Sequence, residues 1–138
     1  MLSKILAISG KPGLYKYISN GKNMIIVESI DEAKKRFPAH ATDRIVALSD
    51  ISIYTNDDKE LPLSTVFDNI KKQYNSQPVD LHHKKASQDE IVNFFEKALP
   101  NYDNDRVHEA DMRKVLQWYN ILVNNGLSDF SSDSEKID

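Results

Sequence analysis

Residues 13–30 read Gly13-Leu-Tyr-Lys-Tyr-Ile-Ser-Asn20-Gly21-Lys-Asn-Met-Ile-Ile-Val-Glu-Ser-Ile30. Two runs rich in β-branched and aromatic residues flank an Asn-Gly pair, the strongest short-range signal for a β-hairpin. A type I′ turn needs positive φ at both central residues, and Asn and Gly tolerate it best. With Asn20 and Gly21 as the loop, Tyr17 is expected to face Met24, Tyr15 to face Ile26, and Leu14 to face Val27. Both faces then carry apolar groups, so the hairpin is expected at the centre of a sheet.

The flanking sequence extends that sheet. Ser3–Ile8 reads as a strand, with Ile5 and Leu6 on opposite faces. Gly10-Lys11-Pro12-Gly13 reads as a turn, Pro presetting φ and the following Gly supplying a positive one. Lys34-Lys35-Arg36-Phe37-Pro38 reads as an edge strand, charged and closed by Pro. A short helical turn is expected near Ala47–Asp50. Ile51-Ser52-Ile53-Tyr54-Thr55 alternates as a half-buried strand. Five short strands with tight turns predict a small rolled sheet, an SH3-like β-barrel.

Helical periodicity takes over after Pro62. Leu63, Val66, Phe67, Ile70 and Tyr74 form one apolar stripe, which predicts a helix bridging the open end of the barrel. Residues 75–86 lack periodicity and read as a linker. Ser87-Gln88-Asp89-Glu90 is a capping box ahead of an amphipathic helix that Pro100 ends. A second helix is predicted from Glu109 to Asn124, stopped by Asn125-Gly126. The expected class is therefore α+β. Residues 1–74 form the barrel with its closing helix, 75–86 a linker, 87–126 a helical hairpin, and 127–138 a mobile acidic tail.

Composition bounds the function. The chain has 138 residues, 40% hydrophobic and 28% charged, with no Cys. No disulfide framework, thiolate nucleophile or thiolate metal site is available. No apolar run approaches the roughly 18 residues of a membrane helix. The first ten residues hold too short an apolar segment for a signal peptide. A cytoplasmic address is expected. Net charge is −3, unevenly spread: residues 1–74 carry 11 Lys and Arg against 9 Asp and Glu, residues 75–138 carry 7 against 12.

Each motif with a chemical reading has a plainer one. Gly10-Lys11 lacks the earlier Gly and the following Ser or Thr of a phosphate loop. Asp103, Asp105, Glu109 and Asp111 have suggestive spacing for calcium, but the Gly and Glu of an EF-hand loop are missing, and the acids read as helix caps. His82-His83 has no spaced third ligand and reads as a solvated pair. No G-x-S-x-G elbow, His–carboxylate cluster or Gly-rich cofactor fingerprint occurs. The reading is of a protein that is not an enzyme and has no cofactor and no metal.

Two features point to partners. Tyr119 sits on the inner stripe of the last helix, and Trp118, about 100° round from it, is the boundary residue expected to contact a partner. Lys34, Lys35 and Arg36, with Lys11, Lys16 and Lys22, make a basic barrel face, and Tyr15 and Tyr17 are candidate stacking rings. Both tyrosines nevertheless sit opposite apolar residues in the expected register, which favours core. The leading expectation is a non-enzymatic adaptor that binds another protein. The alternative is a protein that binds RNA or single-stranded DNA through the basic face.

Three stretches carry a resemblance. Leu2-Ser-Lys-Ile-Leu-Ala-Ile-Ser-Gly-Lys-Pro-Gly-Leu-Tyr-Lys16, Arg44-Ile-Val-Ala-Leu-Ser-Asp-Ile-Ser-Ile-Tyr-Thr55 and Asp111-Met-Arg-Lys-Val-Leu-Gln-Trp-Tyr-Asn120 together resemble a family of uncharacterised proteins from Bacteroidota. The resemblance covers roughly residues 2–124. It implies a bacterial cytosolic protein with a β-rich front and a helical back, and it offers no catalytic or binding residues to carry over.

Overall fold

The front of the chain is an antiparallel meander with one returning strand. The computed structural model describes residues 1–40 and 42–130. A 3-10 turn at Leu2–Lys4 leads into β1 (Ile5–Ile8), β2 (Tyr15–Gly21), β3 (Met24–Ser29), β4 (Arg36–His40) and β5 (Ile45–Ala47). They lie in the order β4-β3-β2-β1-β5, every neighbour antiparallel. A second 3-10 turn, Leu48–Asp50, precedes a hairpin of β6 (Ser52–Tyr54) and β7 (Glu60–Pro62). Three helices follow: α1 (Leu63–Gln73), α2 (Gln88–Ala98) and α3 (Glu109–Asn124).

The α+β class and all three helices match expectation, whereas the strand plan differs in three places. The segment expected as a strand at Ile51–Thr55 does form one, but in a two-stranded sheet of its own. The fifth place in the main sheet goes to Ile45–Ala47, which pairs with β1. No ladder joins β5 to β4 among the described residues, so hydrogen bonding leaves the sheet open rather than closing it into a barrel.

The third difference is the central hairpin. Its loop is Lys22-Asn23, not Asn20-Gly21. Gly21 is the last residue of β2, paired with Met24, and Asn23 alone takes the positive φ, 59°. That is not the pair of positive values that type I′ requires. Tyr15 consequently faces Ser29 and Tyr17 faces Val27, and an irregularity between Tyr17 and Ser19 absorbs one residue. A bulge of this kind adds one residue to one strand, shifts the register beyond it and re-aims the side chains nearby. Here it leaves both Tyr15 and Val27 buried.

Alternation along the strands builds two cores. Ile5 and Leu14 join the larger cluster, and their neighbours Leu6 and Tyr15 join the smaller. That is the two-residue period of a strand with both faces covered. The smaller cluster is Leu6, Ile8, Tyr15, Val27 and Ala39, all from strands. Phe37 meets Tyr15 edge-on at 5.3 Å. Val27 is 0% exposed although, among the described residues, this cluster holds no helical side chain, so the sheet curls far enough to bury its own face.

The larger cluster joins Leu2, Ile5, Leu14 and Leu48 of the front to Phe67 of α1, Phe95 of α2 and Tyr119 of α3. Phe130 completes it, its ring 5.0 Å from that of Phe67. The tail expected from residue 127 therefore begins with a docked segment, and residues 131–138 lie outside the described residues. The 75–86 stretch expected as a linker is likewise fastened. Asn120 on α3 accepts from the Val79 amide at 2.7 Å and donates to its carbonyl at 3.0 Å. Tyr119 donates to the Gln77 carbonyl at 2.9 Å, and Arg113 donates to that of His83 at 3.0 Å.

Local signals set the helix ends. The Ser87–Glu90 capping box is made in both directions, Glu90 N to Ser87 Oγ at 3.2 Å and Ser87 N to Glu90 Oε1 at 2.9 Å. Two amide donors at the helix start are thereby satisfied.

Candidate functional site

Helical spacing brings Asp111, Lys114, Val115 and Trp118 to one face of α3, because residues three, four and seven apart line up along a helix. This face looks across a depression of about 280 Å³ at β6, with Arg106 at its end. A second depression of about 570 Å³ adjoins it and shares Ile51, Lys114 and Trp118. Its far wall is the end of β1, the Ser9–Gly13 turn, Arg44 just before β5, and Val46 on β5. Together they make one groove, with Trp118 at its middle.

Among the described residues, the large hydrophobic side chains left exposed are Val46 (44%) and Tyr54 (40%), and both line this groove. Strand geometry puts them there. Tyr54 alternates with buried Ile53 on β6, and Val46 stands between the partly buried Ile45 and Ala47 on β5.

The rim is cationic. The Arg106 guanidinium lies 4.8 Å from the centroid of the Tyr54 ring and is held by Asp103 at 3.4 Å and Asp58 at 3.5 Å. Lys11 lies 4.9 Å from the centre of the Phe37 ring. Lys114 and Arg44 have no ion-pair partner among the described residues. The one acid of the lining, Asp111, accepts from the His108 amide at 3.0 Å and so caps α3.

Of the residues singled out in the sequence, Trp118 lies in this groove, and Lys34, Lys35 and Arg36 do not. The basic run occupies the opposite edge of the main sheet, with three strands between β4 and β5. There the Arg36 Nε sits 3.1 Å from Glu28, its cross-strand partner, the Lys34 amide donates to Asp31, and the Lys35 amide donates to Ser29. Tyr15 is core, its hydroxyl donating to the Pro12 carbonyl at 2.8 Å, and Tyr17 donates to Asn20 at 2.8 Å. Sequence reading missed Tyr54, Val46, Arg44 and Lys114 as a group. Alternation in Ile51–Thr55 carries a signal for Tyr54, a large aromatic on the face away from the core, but nothing local links it to residue 118.

The acidic loop and the histidine pair have structural roles. Asp103 accepts from the Asp105 amide at 2.8 Å. The Nδ1 of His82 accepts from the amides of Lys84 and Lys85 at 3.1 and 3.2 Å, and the two imidazoles stack at 4.8 Å. Among the described residues, no cluster of three or more His, Cys, Asp or Glu could hold a metal ion. Groups held away from their ordinary ionisation sit in the core and in turns. Burial pushes the Tyr15 and Tyr119 phenols up, and the Ser29 hydroxyl followed by the Lys34 amide holds the Asp31 carboxyl low.

Comparison with known proteins places the chain. Residues 51–122 match the model of a domain of unknown function, DUF6852, and residues 2–48 match that of another, DUF5606. The seam between them falls at the Leu48–Asp50 turn rather than in residues 75–86. A solution NMR structure of a protein from Bacteroides vulgatus, a structural-genomics target, is similar at 55% identity. The match covers 94% of this chain and 91% of that one, with a TM-score of 0.79. A search of curated proteins finds no match. The chain belongs to the DUF6852 family, its front matching the DUF5606 model, in keeping with its resemblance to uncharacterised Bacteroidota proteins. No described helix is long and apolar enough to cross a membrane.

Proposed function

We propose that this is a non-enzymatic binding module of the bacterial cytoplasm that engages another protein through the groove around Trp118. In this reading the front half is an SH3-like scaffold. A meander whose fifth strand returns beside the first, curled over a strand-only core, supports that likeness. The observation that carries the function is the coincidence of Trp118, Tyr54 and Val46 on one concave surface. Tryptophan, tyrosine and arginine dominate binding energy at protein interfaces, and Trp118, Tyr54 and Arg106 line one depression here. The basic β4 edge supports the nucleic-acid alternative less well, because Arg36 is paired and Tyr15 is buried.

Affinity capture from nuclease-treated cytosol tests this. Proteins retained by the native chain should be lost with Tyr54→Ser combined with Val46→Asp, and kept with Lys34→Glu combined with Lys35→Glu. Circular dichroism checks that each variant is folded. Retention indifferent to the groove substitutions, or abolished by nuclease alone, would overturn the reading.

A further inference from the structure

We infer that the occupant of the groove is an acidic peptide segment carrying bulky apolar side chains; this rests on the docking reading above and names the chemistry of the partner. Two independent features of the lining point to it. The apolar part of the lining is largely aliphatic, with Ile51, Val115 and Val46 beside Trp118, which suits inserted Leu or Phe side chains. Although Asp103 and Asp58 hold Arg106, the lining sets Lys11, Arg44 and Lys114 against one acid, Asp111, in a chain whose net charge is −3. That acid is already hydrogen-bonded to the His108 amide, while Lys114 and Arg44 lack a carboxylate partner among the described residues. Charge complementarity therefore asks for a partner that brings its own carboxylates.

A single-stranded nucleic acid also carries negative charge, but its bases need open aromatic faces on which to stack. Here Arg106 already covers one face of Tyr54, and the remaining apolar lining apart from Trp118 is aliphatic. The peptide accounts for both the apolar lining and the rim.

The sole tryptophan makes the test direct, since its emission reports on the middle of the groove. Random peptides displayed on phage are selected on the full chain, and Trp-free synthetic copies of the winners are titrated against Trp118 emission. Selection should enrich Asp and Glu flanking Phe or Leu. Affinity should fall with added salt, which screens exposed charges. It should also fall on the order of tenfold with Lys114→Glu combined with Arg44→Glu, and stay unchanged with Lys34→Glu combined with Lys35→Glu. Winners that are basic or uncharged, yet lost on Tyr54→Ser with Val46→Asp, would overturn the acidic partner and leave the docking reading standing. Winners indifferent to those groove substitutions would overturn both. So would single-stranded RNA that shifts Trp118 emission and displaces the peptide.

Discussion

The two buried clusters of this molecule are made by different means. The smaller one is strands only: Leu6, Ile8, Tyr15, Val27 and Ala39, closed by the curl of one sheet. The larger one draws on nearly the whole length of the chain, from Leu2 through Phe67, Phe95 and Tyr119 to Phe130. Adjacent residues, Ile5 and Leu6, feed different clusters. The contrast shows that the front sheet owns only one of its two cores. Its other face is finished by α1, α2 and α3, which all follow it in the chain, so the front is a layer of a larger unit rather than a free barrel.

The most severe test of that view is to remove α2 and α3. A chain ending at residue 76 would leave Leu2, Ile5, Leu14 and the α1 stripe uncovered. It should lack cooperative melting by circular dichroism and calorimetry. A sharp two-state transition would show that the strand-only cluster suffices, and that residues 75–86 divide two independent units.

Single truncations compare the clusters directly. Phe95→Ala should cost about 3–5 kcal/mol, the range for a large aromatic removed from a close-packed core. Val27→Ala should cost roughly 2 kcal/mol, from two lost methyl groups and the space they leave. Urea unfolding measures both, and equal costs would mean that the strand cluster carries as much of the stability as the helical one.

Fastening of residues 75–86 contributes less. Asn120→Ala leaves the Val79 amide and carbonyl without their partner, at a cost of about 1–3 kcal/mol. Hydrogen exchange at the Val79 amide should accelerate. Unchanged exchange would mean that the segment is held by its buried side chain alone.

The smallest effect is one of pH. Burial, followed by the charges of His82, Lys84 and Arg113, pushes His83 below its ordinary value of 6.5. The unfolded chain takes up the proton near that value while the folded chain resists it. Stability contributed by neutral His83 is therefore present above about pH 6.5 and is lost as pH falls from there to the depressed folded value. His83→Gln should flatten the decline in melting temperature over that window. An equally steep decline in the variant would assign the acid sensitivity to other groups.

Much of the fold was legible in the residues, because the signals were local. The Ser87–Glu90 box, Pro100 and Asn125-Gly126 each act within a turn of helix, and the helices end close to where those signals stand. The hairpin shows the limit of such reading. Asn20-Gly21 is a good turn pair, but a bulge after Tyr17 and the burial of Val27 beside Tyr15 moved the loop to Lys22-Asn23, where Asn23 tolerates positive φ as well as Asn20 would. Several registers satisfy a short turn motif, and packing on both faces of the sheet selects among them.

Trp118 stood out from the sequence by its angle on α3, and the groove around it did not. Amphipathic period, capping and chain-breaking residues are properties of neighbours, so the sequence by itself determined three helices, a strand-rich front and the place of Trp118 at the boundary of the inner stripe of α3. Tertiary structure alone decided that Arg44, Val46, Tyr54 and Arg106 would gather around that ring and that Lys34–Arg36 would lie on the far edge. Those residues approach only when the returning strand, the separate hairpin and α3 pack on a common core, and contacts across such separations leave no periodic trace in the chain.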